Sequence, residues 1–273
     1  MKNNIKTFKL FVRPDEKSQK IANKIRELNT NMSNPLIESD NVDLIIAIGG
    51  DGTFIEAVTN TNFSQNSIYT GIHTGTLGFL QDLCENDVLS LIQYIKFEEE
   101  LKTRKVYIAD VKVHLSSGNP LSYFALNDVI IAGTDYSRIS FQQNINNELS
   151  QNITGCGIII STNTGDTAHS ANTGGAIDFT DNCQLISTLL DPIRSAAFER
   201  FLPNSFIGSN FNIVLTPSNN ISIIIDGRPK DIKSEDIRNV EVSISKSNYI
   251  NKLNLMNYSK VKVVREKLLG YTN

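Results

Sequence analysis

The sequence has no cationic surplus. Lys and Arg number 26 against 29 Asp and Glu, a formal charge of −3. A chain that grips a polyanion through charge carries a basic excess, so nucleic acid is set aside as a partner. Cysteine is scarce: Cys84, Cys156 and Cys183 are odd in number, widely spaced and form no CxxC pair. A disulfide framework and a structural zinc site are thereby disfavoured, and the expected compartment is reducing. No apolar run is long enough to span a bilayer, and the opening residues lead only into a short apolar stretch at 8–12, without a signal-peptide core. The expectation is a soluble cytoplasmic protein with no membrane partner. Internal repeats and low-complexity tracts are also lacking. No GxGxxG follows a strand, which counts against a dinucleotide oxidoreductase.

What is present is enough for a folded core. The 273 residues are 40% apolar and 20% charged, the size of one large domain or two modest ones. Residues 7–13 read as a strand and 15–29 as a helix, with Asp15 as its cap and Ile21, Ile25 and Leu28 on one face. The β-branched run 42–48 suits a parallel strand buried on both sides. A helix opening near 54–58, a strand at 67–72 and an amphipathic helix at 87–97 follow. This alternation predicts an open, Rossmann-like parallel α/β sheet over 1–105. Beyond it, short strands at 106–115, 122–132, 138–144, 157–161, 211–215, 221–225, 240–245 and 249–256, separated by turn formers, predict a mainly β domain over 106–257. Helical stretches near 167–173 and 181–191 are expected to interrupt it. The segment 258–273 is expected to hold a last helix or turn that packs back on the N-terminal domain.

The strongest local signal is Gly49-Gly50-Asp51-Gly52-Thr53, directly after the buried run. Glycines let backbone amides approach phosphate oxygens, and a helix N-terminus adds unpaired N–H groups and a favourable dipole. A carboxylate has no place in simple phosphate binding. It makes sense where it meets Mg²⁺ or takes a proton from a hydroxyl nucleophile. The alternative is a plain strand–helix turn in which Asp51 caps the helix.

Four further segments follow in order: His73-Thr74-Gly75-Thr76-Leu77-Gly78-Phe79-Leu80; Ala125-Leu126-Asn127-Asp128; the run from Gly155 through Cys156, Thr164, Thr167, Ala168 and His169 to Ser170; and Gly174-Gly175-Ala176-Ile177. With GGDGT they resemble the NAD kinase family over most of the chain, from about Val42 to Leu269. Ile225-Asp226-Gly227 and Arg265-Glu266-Lys267-Leu268-Leu269 resemble two later, weaker family segments. The related lipid kinases carry an LGTGN-type segment where this chain has 73–80. The resemblance implies an enzyme that phosphorylates the adenosine ribose 2′-hydroxyl of NAD, using ATP with Mg²⁺, or polyphosphate. It implies Asp51 as the catalytic base and Gly49, Gly50, Gly52 and Thr53 around the donor phosphates. NAD is expected at Asp51, Gly52, His73, Thr74, Gly75, Leu77, Phe79, Asn127, Asp128, Cys156, Thr164, Thr167, Ala168 and His169. Direct ligation of the metal by the protein is not expected. A homodimer or homotetramer is a family expectation.

Four positions depart from the family pattern. Cys156 stands for Asp, His169 for Tyr, Asn163 for Pro, and Asp128 for Glu. A thiol is mostly neutral at pH 7 where a carboxylate is charged. His169 still offers a ring for stacking, with less area than tyrosine. Asp166 adds a negative charge at a helix start, which would disfavour a phosphate close by. An altered dinucleotide pocket is therefore expected, and two other readings stay open: an NAD(P)-sensing protein without catalysis, and a lipid kinase of the same superfamily.

Overall fold

The structure, a computed structural model, describes residues 2–75, 78–180, 182–194, 203–218 and 220–270. The chain divides into two compact units, Met1–Val106 with Tyr249–Asn273, and Tyr107–Asn248. It passes from one to the other within single long strands.

In the first unit, β1 (Thr7–Val12), α1 (Glu16–Thr30), β2 (Ile37–Glu38), β3 (Leu44–Gly49), α2 (Asp51–Asn60), β4 (Ile68–His73), α3 (Val88–Phe97) and α4 (Lys260–Lys267) follow in chain order. The strands are parallel in the order β2-β1-β3-β4, and residues 249–253 extend the sheet beyond β4, Lys252 opposite Tyr69. Every residue of β3 is buried, as a central parallel strand covered on both faces requires. Asp15 caps α1: its carboxylate accepts the Ser18 N–H at 3.0 Å, and Ile21, Ala22 and Ile25 turn inward. They join Phe8, Leu44, Ile46, Ile72, Leu91 and Leu253 in one apolar core. Each such buried Ile, Leu or Phe contributes roughly 1.5–3 kcal/mol. α2 starts at Asp51, three residues earlier than its apolar face suggests, because the glycine turn itself supplies the first helical turn.

The second unit is antiparallel. It contains β5 (Thr103–Leu115, from Tyr107), β6 (Leu121–Ala125), β7 (Asp128–Gly133), β8 (Ile139–Ile145), β9 (Glu148–Gly155), β10 (Gly157–Thr162), β11 (Leu185–Leu190), β12 (Ser205–Gly208), β13 (Asn210–Leu215), β14 (Ile221–Ile225), β15 (Arg228–Pro229) and β16 (Ile237–Leu253, up to Asn248). One sheet runs β12-β11-β10-β7-β14-β15; β16, β13, β8 and β9 form a second ladder, and β5 pairs with β6 and β16. Ile131, Ile158, Ile160, Phe211, Ile213, Ile223 and Val242 lie in the single core of this unit.

The structure departs from several of these expectations. The segment expected as a helix over 181–191, whose residue 181 lies outside the described residues, contains the strand Leu185–Leu190, paired to β10 and β12. Its Leu-Ile-Ser-Thr-Leu-Leu run suits either state by periodicity, and two waiting sheet partners decide for the strand. The expected strand 122–132 breaks into β6 and β7 at Leu126–Asn127. The helix expected near 167–173 is present as a short helical stretch over 166–172 that opens with a wide turn at Asp166–Ser170, where Ala168 is non-helical (φ −93°, ψ −124°). The expected strands 240–245 and 249–256 are one continuous strand.

Candidate active site

The glycine turn leaves β3 and opens α2 in the first unit. Gly50 caps the helix without any side chain, so the first helical N–H groups have no side-chain acceptor. A Cβ placed on Gly52 would meet nothing within 4 Å, and one on Gly50 only the Arg13 Nη1 at 3.9 Å. The mouth of the turn is open, as an anion cradle must be. Gln81 fixes the turn from behind, its Nε2 donating to the Gly50 carbonyl at 2.7 Å. Thr53 is buried beneath it.

Asp51 is half-buried, and two backbone amides fix its carboxylate. The Phe79 N–H donates to Oδ2 and the Leu80 N–H to Oδ1, both at 2.9 Å. Gly78 makes this possible: a Cβ there would lie 2.2 Å from the Asp51 Oδ1. Residues 78–80 therefore position the carboxylate by backbone contact. Thr74 is buried, with its hydroxyl accepting from Arg13 Nη2 at 3.1 Å and lying 3.1 Å from the Ser18 hydroxyl. His73 Nδ1 lies 3.1 Å from the Gly75 carbonyl. Leu77 lies outside the described residues.

A cationic layer that sequence reading missed lies beside Asp51. Lys252 is 1% exposed, donates to Asp82 at 2.8 Å, and sits 5.4 Å from the Phe54 ring centre. Burial pushes its ammonium down to about 8, opposed by Asp82 and, more weakly, by Asp51. Lys267, at the end of α4, stands 4.3 Å over the Phe79 ring. Burial lowers it to about 8 as well, with the charges of Asp51 and Asp82 acting in the opposite direction. Its Nζ is buried and makes no hydrogen bond among the described residues. The Arg265–Leu269 segment was the only sequence signal for this lysine; nothing singled out Lys252 in a strand.

The second unit gathers another group. Asp226 begins the two-residue turn between β14 and β15, with φ 50° at Asp226 and 74° at Gly227, the backbone such a tight hairpin needs. Its carboxylate does more than turn the chain. It accepts the N–H groups of Leu126 at 2.8 Å, Asn127 at 2.7 Å and Asp128 at 3.2 Å, and so breaks the strand between β6 and β7. Burial raises the Asp226 pKa, against the pull of those three amides. Asp128, 3% exposed at its side chain, is raised to about 6, first by burial and then by the Asp226 charge. The His169 Nδ1 lies 3.8 Å from the Asp128 Oδ2 and partly opposes the shift. The Asn127 Oδ1 and Asp128 Oδ1 are buried acceptors with no donor among the described residues. Two adjacent orphans of this kind call for a ligand that brings N–H or O–H groups.

The 162–165 turn is laid directly on this group: a Cβ on Gly165 would lie 2.1 Å from the Asn127 carbonyl oxygen. Thr162, which sequence reading passed over, organises the turn. Its hydroxyl donates to the Leu126 carbonyl at 2.6 Å and accepts the N–H groups of Thr164 and Gly165. Thr164 is half-buried, Thr167 is buried, Ala168 is half-buried and His169 is exposed. Asn163, in the proline position, donates to the carbonyls of Asp178 and Thr180. Asp166 is fully buried and accepts the Asp178 N–H at 2.7 Å. The charge expected to repel a phosphate from a helix start is instead used to hold a loop. Cys156 stands apart from the Asn127–Asp128–His169 group. It lines a cavity of about 810 Å³ with Tyr136, Leu190, Asp191 and Arg194, its Sγ 3.8 Å from the Asp191 Oδ2.

A buried parallel strand that ends in an open glycine turn and presents a fixed carboxylate at a helix start defines a phosphate-handling α/β protein. Comparison with known proteins narrows the class. Residues 4–98 match the ATP-NAD kinase N-terminal domain. An NAD kinase of Finegoldia magna is 28% identical over 93% of this chain and 94% of its own. Yeast NADH kinase complexed with NADH superposes with a TM-score of 0.81 at 18% identity, covering 98% of this chain and 89% of the yeast one. An NAD kinase from Archaeoglobus fulgidus in complex with ATP gives 0.70 at 16% identity, over 92% and 94%. Residues 4–98 thus match the N-terminal domain of ATP-NAD kinases, and over most of its length the chain is similar to proteins named NAD kinase.

Proposed function

We propose that this protein is an NAD kinase, transferring the terminal phosphoryl group of ATP, or of polyphosphate, to the 2′-hydroxyl of the adenosine ribose of NAD. The observation that carries this reading is the Asp51 carboxylate, held by two backbone amides at the open mouth of a glycine-capped helix. A carboxylate fixed there can orient a hydroxyl and accept its proton while phosphorus moves between oxygens. A carboxylate has about four lone-pair sites, so two amide donors leave capacity for the substrate.

The donor would enter with Mg²⁺ or another divalent cation, which would supply charge neutralisation to the phosphates without direct ligation by the protein. Gly49, Gly50, Gly52 and Thr53 form its cradle. His73, Gly75, Leu77 and Phe79 are assigned to the dinucleotide with Thr74 as their buried support. On the adenosine side, the orphan acceptors of Asn127 and Asp128 suit ribose hydroxyls and an adenine amino group. Thr164, Thr167, Ala168 and His169 flank that adenosine side, and Cys156 is assigned to a more distant part of the ligand. We assign the enzyme to the cytoplasm, as a homodimer or homotetramer, from the family resemblance.

The test is direct. Purified protein with NAD, ATP and Mg²⁺ is expected to form NADP, read by an NADP-specific cycling dehydrogenase. Asp51→Asn is expected to lower kcat about 10²–10⁴-fold, the range for losing a general base. A variant within a few-fold of the parent removes Asp51 from the reaction.

A further inference from the structure

Phosphoryl transfer places negative charge on oxygens that a divalent cation alone does not fully neutralise, and kinases and NTPases commonly add a fixed Lys or Arg. The glycine turn supplies none: Gly49-Gly50-Asp51-Gly52-Thr53 contains no cation. Three other described cations of the first unit come into consideration, and each already has a charged or aromatic partner away from the open mouth. Arg13 is paired to Asp15 at 2.6 Å and to the Thr74 hydroxyl. Lys252 is sealed in with Asp82. Arg104 stacks on Tyr258, 3.8 Å from the ring centre, and its charge bears on Lys252, whereas Lys267 bears on Asp51 directly.

Lys267 is different. Its Nζ lies 4.3 Å over the ring of Phe79, the residue whose N–H holds Asp51, and this buried ammonium has no hydrogen-bond partner among the described residues. Leaving an ammonium buried and unpaired is costly, and the cost shows in its lowered proton affinity. Such a group persists where an anion completes it.

We propose that Lys267 is the cation that meets the phosphoryl group of the donor, delivered to the Asp51 site by the last turn of α4. This deepens the kinase reading and rests on it. In the transfer, the bond from the terminal phosphorus to its bridging oxygen breaks, and its electron pair stays on the departing nucleotide. The ribose oxygen forms the new P–O bond and gives its proton to Asp51. Lys267 exchanges no proton; it contributes a fixed positive charge toward the non-bridging oxygens.

Lys267→Met removes the charge and keeps an unbranched apolar side chain at this position. In steady-state assays at saturating NAD, kcat is expected to fall about 10²–10³-fold, the cost of one preorganised electrostatic contact. KM for NAD is expected to stay within about three-fold, and Lys267→Arg to recover at least a tenth of the parental kcat. Lys267→Gln serves as the uncharged variant if the methionine protein fails to fold. A second arm titrates inorganic tripolyphosphate into metal-free parent and variant by calorimetry, with at least ten-fold weaker binding expected in the variant. If the parent makes no NADP but tripolyphosphate binding still depends on Lys267, the kinase reading fails and the anion site stands. Turnover within three-fold of the parent in the uncharged variant, no tripolyphosphate binding by the parent, or equal binding by both proteins overturns the proposal. So does an uncharged variant that loses NAD affinity as steeply as turnover, because Lys267 would then serve the dinucleotide pocket.

Discussion

Gly78→Ala is the most informative single perturbation, because it disturbs Asp51 without touching it. Gly78 lies outside the left-handed backbone region, so alanine keeps the local chain path; the added methyl would stand 2.2 Å from the Asp51 Oδ1 and 3.0 Å from its Cγ. Ordinary contact needs more than 3 Å, so the carboxylate must retreat by about an ångström or the 78–80 backbone must move away from it. Either way, the hydrogen bonds from Phe79 and Leu80, 2.9 Å each, are stretched or lost. Hydrogen bonds to a charged group contribute roughly 1.5–3 kcal/mol each, and partial relaxation recovers some of that, so a stability loss of about 1–3 kcal/mol is expected. Catalysis is more sensitive: a misplacement of ~1 Å costs on the order of 10²-fold in rate. The expected result is kcat lowered about 10²-fold, with KM for NAD changed only a few-fold, in the NADP-forming assay with a thermal melt alongside. Introduced into Asp51→Asn, the same substitution is expected to lower kcat by less than three-fold more, since the displaced base is already gone. Parental kcat with an unchanged melting temperature in Gly78→Ala would show that the amide cradle does not position the base.

Two further expectations concern buried charge. Lys252→Met leaves Asp82 facing the interior without its counter-ion at 2.8 Å, and a loss of ~3–5 kcal/mol by chemical denaturation is expected, most of it recovered by Lys252→Met with Asp82→Leu; equal losses in both proteins would sink the pair argument. Asp128 is raised from 3.8 to about 6 in the folded protein, so the folded state binds the extra proton between those values and stability falls as pH rises through about 6. Asp128→Asn is therefore expected to stabilise the ligand-free protein by ~2 kcal/mol at pH 7.5 and by little at pH 4; a gain that does not vary with pH would point to a cause other than this carboxylate.

The parallel half of the fold was legible because its signals are local. The buried run at 42–48, the Asp15 cap and the period of Ile21 and Ile25 each point to one state, and the structure uses each in that state. The antiparallel half was read less well for a physical reason. β11 becomes a strand by pairing with β10 and β12, both outside its own stretch of sequence, and a run such as Leu185–Leu190 is equally apolar on either period. The same division runs through the candidate site. The glycine turn announces itself in five consecutive residues. The Asp226 carboxylate, the Thr162 hydroxyl and the lysines at 252 and 267 act on residues up to about two hundred positions away, and no window of sequence contains both ends of those contacts.

The sheet of the first unit is completed by residues encoded long after the rest of it. Lys252 pairs beside Tyr69 and neutralises Asp82, yet the intervening chain must first leave the ribosome. At ordinary elongation speeds that delay is roughly 10–40 s. Throughout it, the outer margin of β4 is an unpaired template and Asp82 lacks its counter-ion, so nascent chains are vulnerable to mispairing during this interval. A fragment ending at Val106 would be frozen in that condition.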